Sequence, residues 1–142
     1  MIRNLENKDI DKIMDIWLRS TIKAHDFIEI EYWHKNYNIV KDVYIPMAQT
    51  FIYEDEEGIK GFVSIINEEF VGALFVDTEF QSRGIGKSLI DYVKARYKTL
   101  NLAVYKENKR AVDFYINRGF RIIKEEINED SWHSEYMMKM SF

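Results

Sequence analysis

The sequence predicts an α/β fold of the α+β kind, a mixed, mostly antiparallel seven-stranded sheet flanked by about four helices. Three observations carry that prediction. The apolar period changes from helical to strand-like at about Gln49, the implied element order is β-α-α-β-β-β-α-β-α-β-β, and one strand–helix–strand crossover falls near the middle of the chain.

Each element has its own signal. Ile2 to Leu5 forms a short strand. Asn7 reads as a helix N-cap, with Asp9 and Asp11 beside the positive helix end. Ile10, Ile13, Met14, Trp17 and Leu18 then follow the i, i+3, i+4, i+7, i+8 spacing of a buried stripe. A less regular helix covers about Glu29 to Val40 and ends before Pro46. Thr50–Tyr53, Ile59–Ile66 and Phe70–Val76 are β-prone runs separated by acidic turns, an antiparallel meander. Ile85, Leu89, Val93 and Tyr97 recur every fourth residue, as one helical face does. Leu100–Tyr105 is a strand, Asn108 caps a short helix that stops at Gly119, and Phe120–Glu126 and Glu135–Met140 are the last two strands.

Composition narrows the function. The chain has 142 residues, one proline, six scattered glycines and no linker-like tract, and it reads as a single domain over 1–142. It has no cysteine, which excludes thiolate nucleophiles and Cys-based zinc sites. The formal charge is −4, so a broad electrostatic grip on nucleic acid is not expected. No apolar run reaches the roughly 18–20 residues of a membrane span, and charge appears too early for a signal-peptide core, so a cytoplasmic location is expected.

The chemistry concentrates in Ala73–Leu89, which runs strand, loop, two glycines, helix. The first amides of a helix lack partners within it, and its dipole favours an anion. Gly84 and Gly86 let a phosphate come close to the backbone, and Arg83 and Lys87 add positive charge. Two phosphate motifs fail here. Gln81 stands where a P-loop needs its first glycine, and Leu89 stands at the third position of a Rossmann fingerprint.

Gln81-x-x-Gly84-x-Gly86 resembles the Q/R-x-x-G-x-G/A motif of the GNAT superfamily, the Gcn5-related N-acetyltransferases. Asn108-Lys109-Arg110-Ala111-Val112-Asp113-Phe114-Tyr115-Ile116-Asn117-Arg118-Gly119-Phe120 resembles the family's N-x-x-A-x-x-F-Y-x-x-x-G-F signature at every defined position. The resemblance implies a GNAT-like acyl-CoA N-acyltransferase fold, with the strand ending at Val76 bulged and splayed from Leu102–Tyr105. It implies backbone groups around Phe75 and Val76 paired with the pantetheine arm of acetyl-coenzyme A. It further implies Gln81, Ser82, Arg83, Gly84, Ile85, Gly86, Lys87 and Ser88 around the pyrophosphate, with Asn108 on the far side and Tyr115 at the sulfur.

Asn108 and Tyr115 are seven residues apart, close to two helical turns, so both can face one slot. Tyr115 is then the expected general acid toward the departing thiolate, with a main-chain amide near Val76 for the acyl oxygen. The base is less defined. The strand of Phe70–Leu74 carries no carboxylate, and Glu68 and Glu69 sit in a turn. His25 and Asp26 are the candidates, because Ile16-Trp17-Leu18-Arg19-Ser20 and His25-Asp26-Phe27 resemble a bacterial subgroup with an Ile-Trp-x-x-Ser…His-Asp-Phe stretch. A bracing role for the His-Asp pair competes with that reading. Trp17, His25 and Phe27 are the expected acceptor-side residues, with Tyr32 and Trp33 as further aromatic wall, while core packing is the expected role of at least two of Trp17, Phe27, Tyr32 and Trp33. His34 and His133 show no ligand spacing with His25, and no metal is expected.

The expected activity is transfer of an acetyl group from acetyl-coenzyme A to a primary amine by direct attack. The acceptor is a small-molecule or peptide amine, and a homodimer through an exposed strand edge is possible. A non-catalytic acyl-CoA-binding module is the alternative.

Overall fold

A computed structural model describes residues 1–141 as one seven-stranded sheet with helices on both faces. The strands are β1 (Ile2–Asn4), β2 (Gln49–Asp55), β3 (Gly58–Ile66), β4 (Phe70–Val76), β5 (Thr99–Tyr105), β6 (Arg121–Ile127) and β7 (Ser134–Ser141), in the order β1-β2-β3-β4-β5-β7-β6. Every neighbouring pair is antiparallel except β4 and β5. The predicted mixed sheet and its single crossover are what the chain forms.

Helices α1 (Ile10–Ala24) and α2 (Ile30–Ile39) cover one face, and α3 (Ile85–Lys94) and α4 (Lys109–Asn117) border the other. Period-two alternation decides which strand residues meet which layer. Ile52, Phe62 and Tyr105 join Trp17 and Trp33, whereas their neighbours Phe51, Val63 and Val104 join Leu89 and Val93. Because both faces are covered, Lys60–Ile65 is buried without a break. At the far edge β6 is exposed along its whole length.

Three boundaries differ from expectation. Asn7 opens a 3₁₀ turn (Asn7–Asp9) rather than capping α1, and the Glu6 N–H donates to the Asp9 carboxylate at 2.8 Å. Asp9 is buried and paired with Arg3 at 2.8 Å, so it fixes β1 to the helix entry. The second helix does not stop before Pro46. It widens into a π turn (Val40–Tyr44) and continues as a last turn, Ile45–Met47. Proline has no N–H to donate, and the widened turn ahead of it accommodates the missing bond. Helix α3 ends at Lys94, so Tyr97 lies beyond it, though its ring still packs on the core.

Candidate active site

Sheet geometry makes the site. β4 and β5 pair only at Phe70–Asn101, helped by an Asn101 N–H bond to the Glu69 carbonyl at 2.8 Å, and then diverge. The expected splay is present. The bulge in β4 falls at Gly72, between the Ser64–Ala73 and Ile65–Val71 pairs, rather than at the Val76 end. The Asp77 N–H bonds the Lys60 carbonyl at 2.8 Å, so alternation directs Phe75 toward β3 as well. The backbone groups of Leu74 and Val76 therefore face the opening, and those of Phe75 face β3. The Val76 carbonyl is already taken, by Ser20 Oγ and Gln81 Nε2 at 3.1 Å each. Its N–H is the group that points into the wedge.

A cavity of about 730 Å³ occupies this wedge, bounded by the ends of α1 and β4, the loop before α3, and the start of α4. Ser88 N–H to the Gly84 carbonyl, at 3.0 Å, is the first bond of α3. The amides of Ile85, Gly86 and Lys87 precede it, and all three residues lie in the cavity wall. Four cations (Lys23, Lys87, Lys109 and Arg110) and two carboxylates (Asp26 and Glu107) share that wall, a local positive excess on a chain of charge −4.

The two glycines do different work. Gly84 sits at φ +83°, the left-handed region that costs other residues roughly 1–2 kcal/mol. Gly86 is helical, and a Cβ there would meet Phe114 at 3.6 Å and Val76 at 3.7 Å, ordinary contact distances. Nothing inside the protein forbids a Cβ at Gly86, although glycine is the less favourable helix residue, by up to about 1 kcal/mol against alanine in a helix interior. A ligand that needs the space against the peptide accounts for it. The residues present thus fit a diphosphate.

Tyr115 lies in the same wall, its ring edge-on to Phe114 and Phe120, and its hydroxyl makes no hydrogen bond among the described residues. Burial pushes the phenol well above its ordinary range, so it stays protonated. Asn108 is both cap and wall, and its Oδ1 accepts the Ala111 N–H at 3.2 Å.

His25, expected as the base, has an occupied ring. It is 8% exposed and not part of the cavity wall. Nδ1 lies 2.8 Å from the Thr21 carbonyl, which only accepts, so Nδ1 carries the proton. Nε2 then accepts from Asn108 Nδ2 at 3.3 Å. Burial lowers its affinity for a second proton, against the Thr21 carbonyl, which raises it. Asp26 is exposed and does line the cavity.

The other acceptor-side expectations are also displaced. Phe27 packs among His25, Tyr105 and His133, behind the wall. Trp17 is buried against Trp33 and Tyr37 and borders a smaller, second cavity of about 290 Å³. Arg83 and Ser88 fall outside the main wall. Arg83 lies over the Phe80 ring at 5.4 Å, and Ser88 already takes part in the helix. Glu68, at φ +63°, is part of the tight turn between β3 and β4.

Sequence reasoning missed the braces. Arg110 Nη2 donates to Ser82 Oγ at 2.7 Å, and its Nη1 reaches Gln81 Oε1 at 3.4 Å, holding the loop in place. Arg19 grips the buried Asp77 carboxylate with both terminal nitrogens, at 3.0 and 3.1 Å, and pulls its pKa down. Glu107, beside Asn108, bonds His133 at 3.2 Å. The only local signal for these was a charged residue next to a motif position.

A split parallel pair, helix-start amides at a cavity wall and a protonated phenol define an acyltransferase that holds a long anionic thioester carrier. The chain belongs to the acetyltransferase (GNAT) domain family, whose model matches residues 19–142. It is an N-acetyltransferase with acetyl-coenzyme A as cosubstrate, which decides against a non-catalytic binding module. It is 39% identical over 123 residues to the peptidyl-lysine N-acetyltransferase YiaC of Escherichia coli strain K12, covering 87% of this chain and 84% of that protein. Identity is 30% over 122 residues to the peptidyl-lysine N-acetyltransferase YjaB of Salmonella typhimurium, covering 85% and 83%. The solution structure of apo YjaB from Escherichia coli superposes with a TM-score of 0.85 at 23% identity, covering 98% of this chain and 95% of that one. That last likeness speaks to the fold.

Proposed function

We propose that this chain acetylates the ε-amino groups of lysine side chains in proteins, as one N-acetyltransferase domain acting in the cytoplasm. The observation that carries the reading is the pair of relatives above, both peptidyl-lysine N-acetyltransferases at 39% and 30% identity over most of the chain. The carboxylates of Asp26 and Glu107 in the cavity wall suit a cationic acceptor.

Gln81, Ser82, Gly84, Ile85, Gly86, Lys87 and Asn108 would hold acetyl-coenzyme A, with its diphosphate against the amides of Ile85, Gly86 and Lys87. Bound there, it would supply a thioester; the lysine ammonium first gives up a proton to solvent water, and the neutral amine then forms the C–N bond as the C–S bond breaks. The amine loses one proton and the sulfur gains one. Tyr115, held protonated by burial and with its hydroxyl uncommitted, donates that proton. The Val76 N–H, turned into the wedge, stabilises the acyl oxygen. Asp26, exposed on the wall, takes the amine proton through water, because His25 has no free lone pair.

Incubation of the purified chain with acetyl-coenzyme A and a peptide panel, read by mass spectrometry, tests the acceptor. One peptide offers only a lysine ε-amine, a second only an α-amine, and spermidine is included. Acetylation confined to the lysine peptide is expected. Modification of only the α-amine or the polyamine would sink the lysine assignment.

A further inference from the structure

We propose that His25 is a positioning residue for the cofactor: its unprotonated Nε2 fixes the Asn108 carboxamide so that one side chain both caps α4 and forms the cavity wall. This rests on acetyl-coenzyme A lying in that cavity.

A relay of bonds links His25 to the cofactor loop. The Thr21 carbonyl fixes the proton on Nδ1, at 2.8 Å, and the Thr21 hydroxyl lies 3.1 Å from the same atom. The bare Nε2 accepts from Asn108 Nδ2 at 3.3 Å. That commits the Asn108 oxygen to the other direction, where it accepts the Ala111 N–H at 3.2 Å and caps α4. The first turn of α4 carries Arg110, whose guanidinium holds Ser82 and Gln81. The ring itself is clamped by Trp33 from α2 at 5.0 Å, Tyr105 from β5 at 5.2 Å and Phe27 at 5.7 Å. Its orientation is therefore set by packing as well as by hydrogen bonds.

Protonating His25 turns Nε2 into a donor that faces another donor. The carboxamide relieves the clash by flipping, which sets its NH₂ against the Ala111 N–H and loses the cap. Acid thus loosens the wall and the grip of Arg110 on the loop. The groups around the ring do not offset this. Of the three clamping rings only Tyr105 titrates, and burial raises its pKa so that it stays neutral. Lys23 and Asp26, on the same stretch of chain, are exposed at the cavity wall, and His133 with Glu107 packs on Tyr105 and Phe27 rather than on His25.

The test combines ¹⁵N NMR titration of the ligand-free protein with calorimetry of acetyl-coenzyme A binding from pH 5 to 8. Wild type, His25→Phe and Asn108→Asp are compared. In wild type, His25 is expected as the neutral Nδ1–H tautomer with a midpoint below the ordinary 6.5, and affinity falls as pH drops through it. The 3′-phosphate of the coenzyme titrates near pH 6, so the readout is the difference from His25→Phe, which keeps the ring and lacks Nε2. That variant is expected to bind about fivefold more weakly at pH 8, the worth of one cap, and to lose the His25 share of the pH dependence. Asn108→Asp keeps a capping oxygen and puts a carboxylate on Nε2, so the His25 midpoint rises by roughly one unit or more.

An Nε2–H tautomer, an unmoved midpoint in Asn108→Asp, or identical pH profiles for wild type and His25→Phe each overturn the proposal. Loss of turnover in His25→Phe with unchanged affinity and pH profile would make His25 the base instead. The Asn108→Asp titration needs no folded His25→Phe. Cofactor placement fails separately, through wild-type binding by Gly86→Glu, which leaves the NMR titration untouched.

Discussion

The proposed cofactor cradle and the cluster that backs the far side of the cavity are built by different means. In the cradle, the loop Gln81–Gly84 and the start of α3 present peptide N–H groups, and side chains such as Arg110 act by bracing that backbone. Beside the cavity, Tyr32 of α2, Tyr105 of β5 and Glu107 just after it meet the loop between β6 and β7 through side chains. Tyr105 bonds Ser131 at 2.9 Å, Tyr32 bonds Asp130 at 2.7 Å, and His133 bonds Glu107 at 3.2 Å. A backbone site constrains sequence locally, because glycine is favoured where a ligand touches the peptide or φ turns positive. A side-chain site assembled from residues nearly a hundred positions apart imposes no fixed spacing.

The sharpest challenge to that contrast is a charge in the backbone cradle. Gly86→Glu places a carboxylate between the Phe114 ring and the diphosphate position, where like charges in a partly desolvated cleft cost several kcal/mol. Acetyl-coenzyme A affinity is expected to fall about a thousandfold, roughly 4 kcal/mol, with the fold intact by circular dichroism. Calorimetry showing wild-type affinity would mean that the cradle lies elsewhere.

Next in size is the step at which the two sides of the cavity meet. Tyr115→Phe keeps the edge-on packing with Phe114 and Phe120 and removes only the hydroxyl. We expect kcat to fall about a hundredfold while the coenzyme dissociation constant changes less than twofold. An equal loss in both would make Tyr115 a binding group. Because burial raises the phenol's pKa above its usual 10, wild-type kcat should show no alkaline fall from this group below about pH 10.

The glycines themselves supply a finer test, since the two are expected to answer alanine with opposite signs. Gly84→Ala forces a Cβ onto φ +83° and should cost about 1–2 kcal/mol of stability. Gly86→Ala finds ordinary contacts, removes a helix glycine and should gain about 0.5–1 kcal/mol, while coenzyme affinity drops. Denaturant melts with and without coenzyme A separate the effects. A destabilised Gly86→Ala would make that glycine structural and weaken the case for the cradle.

These residues also explain how much was legible beforehand. The meander, the crossover and both motif helices could be read because apolar period, caps and turns are local properties. Asn108 was readable as a cap for the same reason. The π turn that carries α2 past Pro46 was not, since proline normally marks a stop. An aromatic signal alone does not separate an acceptor wall from core: the structure buries Trp17 in the core and packs Phe27 behind the wall, an orientation set by layers that meet only after folding. His25 belongs with them. Its candidacy as base comes from the resemblance of His25-Asp26-Phe27 to a bacterial subgroup, and only the distances to Thr21 and Asn108 show both nitrogens engaged.

The smallest expected effect falls on the proposed acceptor side. Asp26 and Glu107 are the two carboxylates of the main wall, and Glu107 is set in place by His133, whose ring packs on Phe27 at 5.3 Å. Both are substantially exposed, so their pull on a lysine ammonium is screened and each is worth less than about 1 kcal/mol. Paired substitution, Asp26→Asn with Glu107→Gln, is expected to raise KM for a lysine peptide about threefold at low salt and to leave coenzyme affinity unchanged. The increase should shrink as ionic strength approaches 0.5 M, because the Debye length falls from about 10 Å at 0.1 M to about 3 Å at 1 M. The same substitution removes Asp26 as the proposed acceptor of the amine proton, so kcat should fall as well, and salt should not restore it. A salt-insensitive KM together with a wild-type kcat would place the acceptor away from these carboxylates. The cavity of about 290 Å³ beside Trp17 would then be its next candidate.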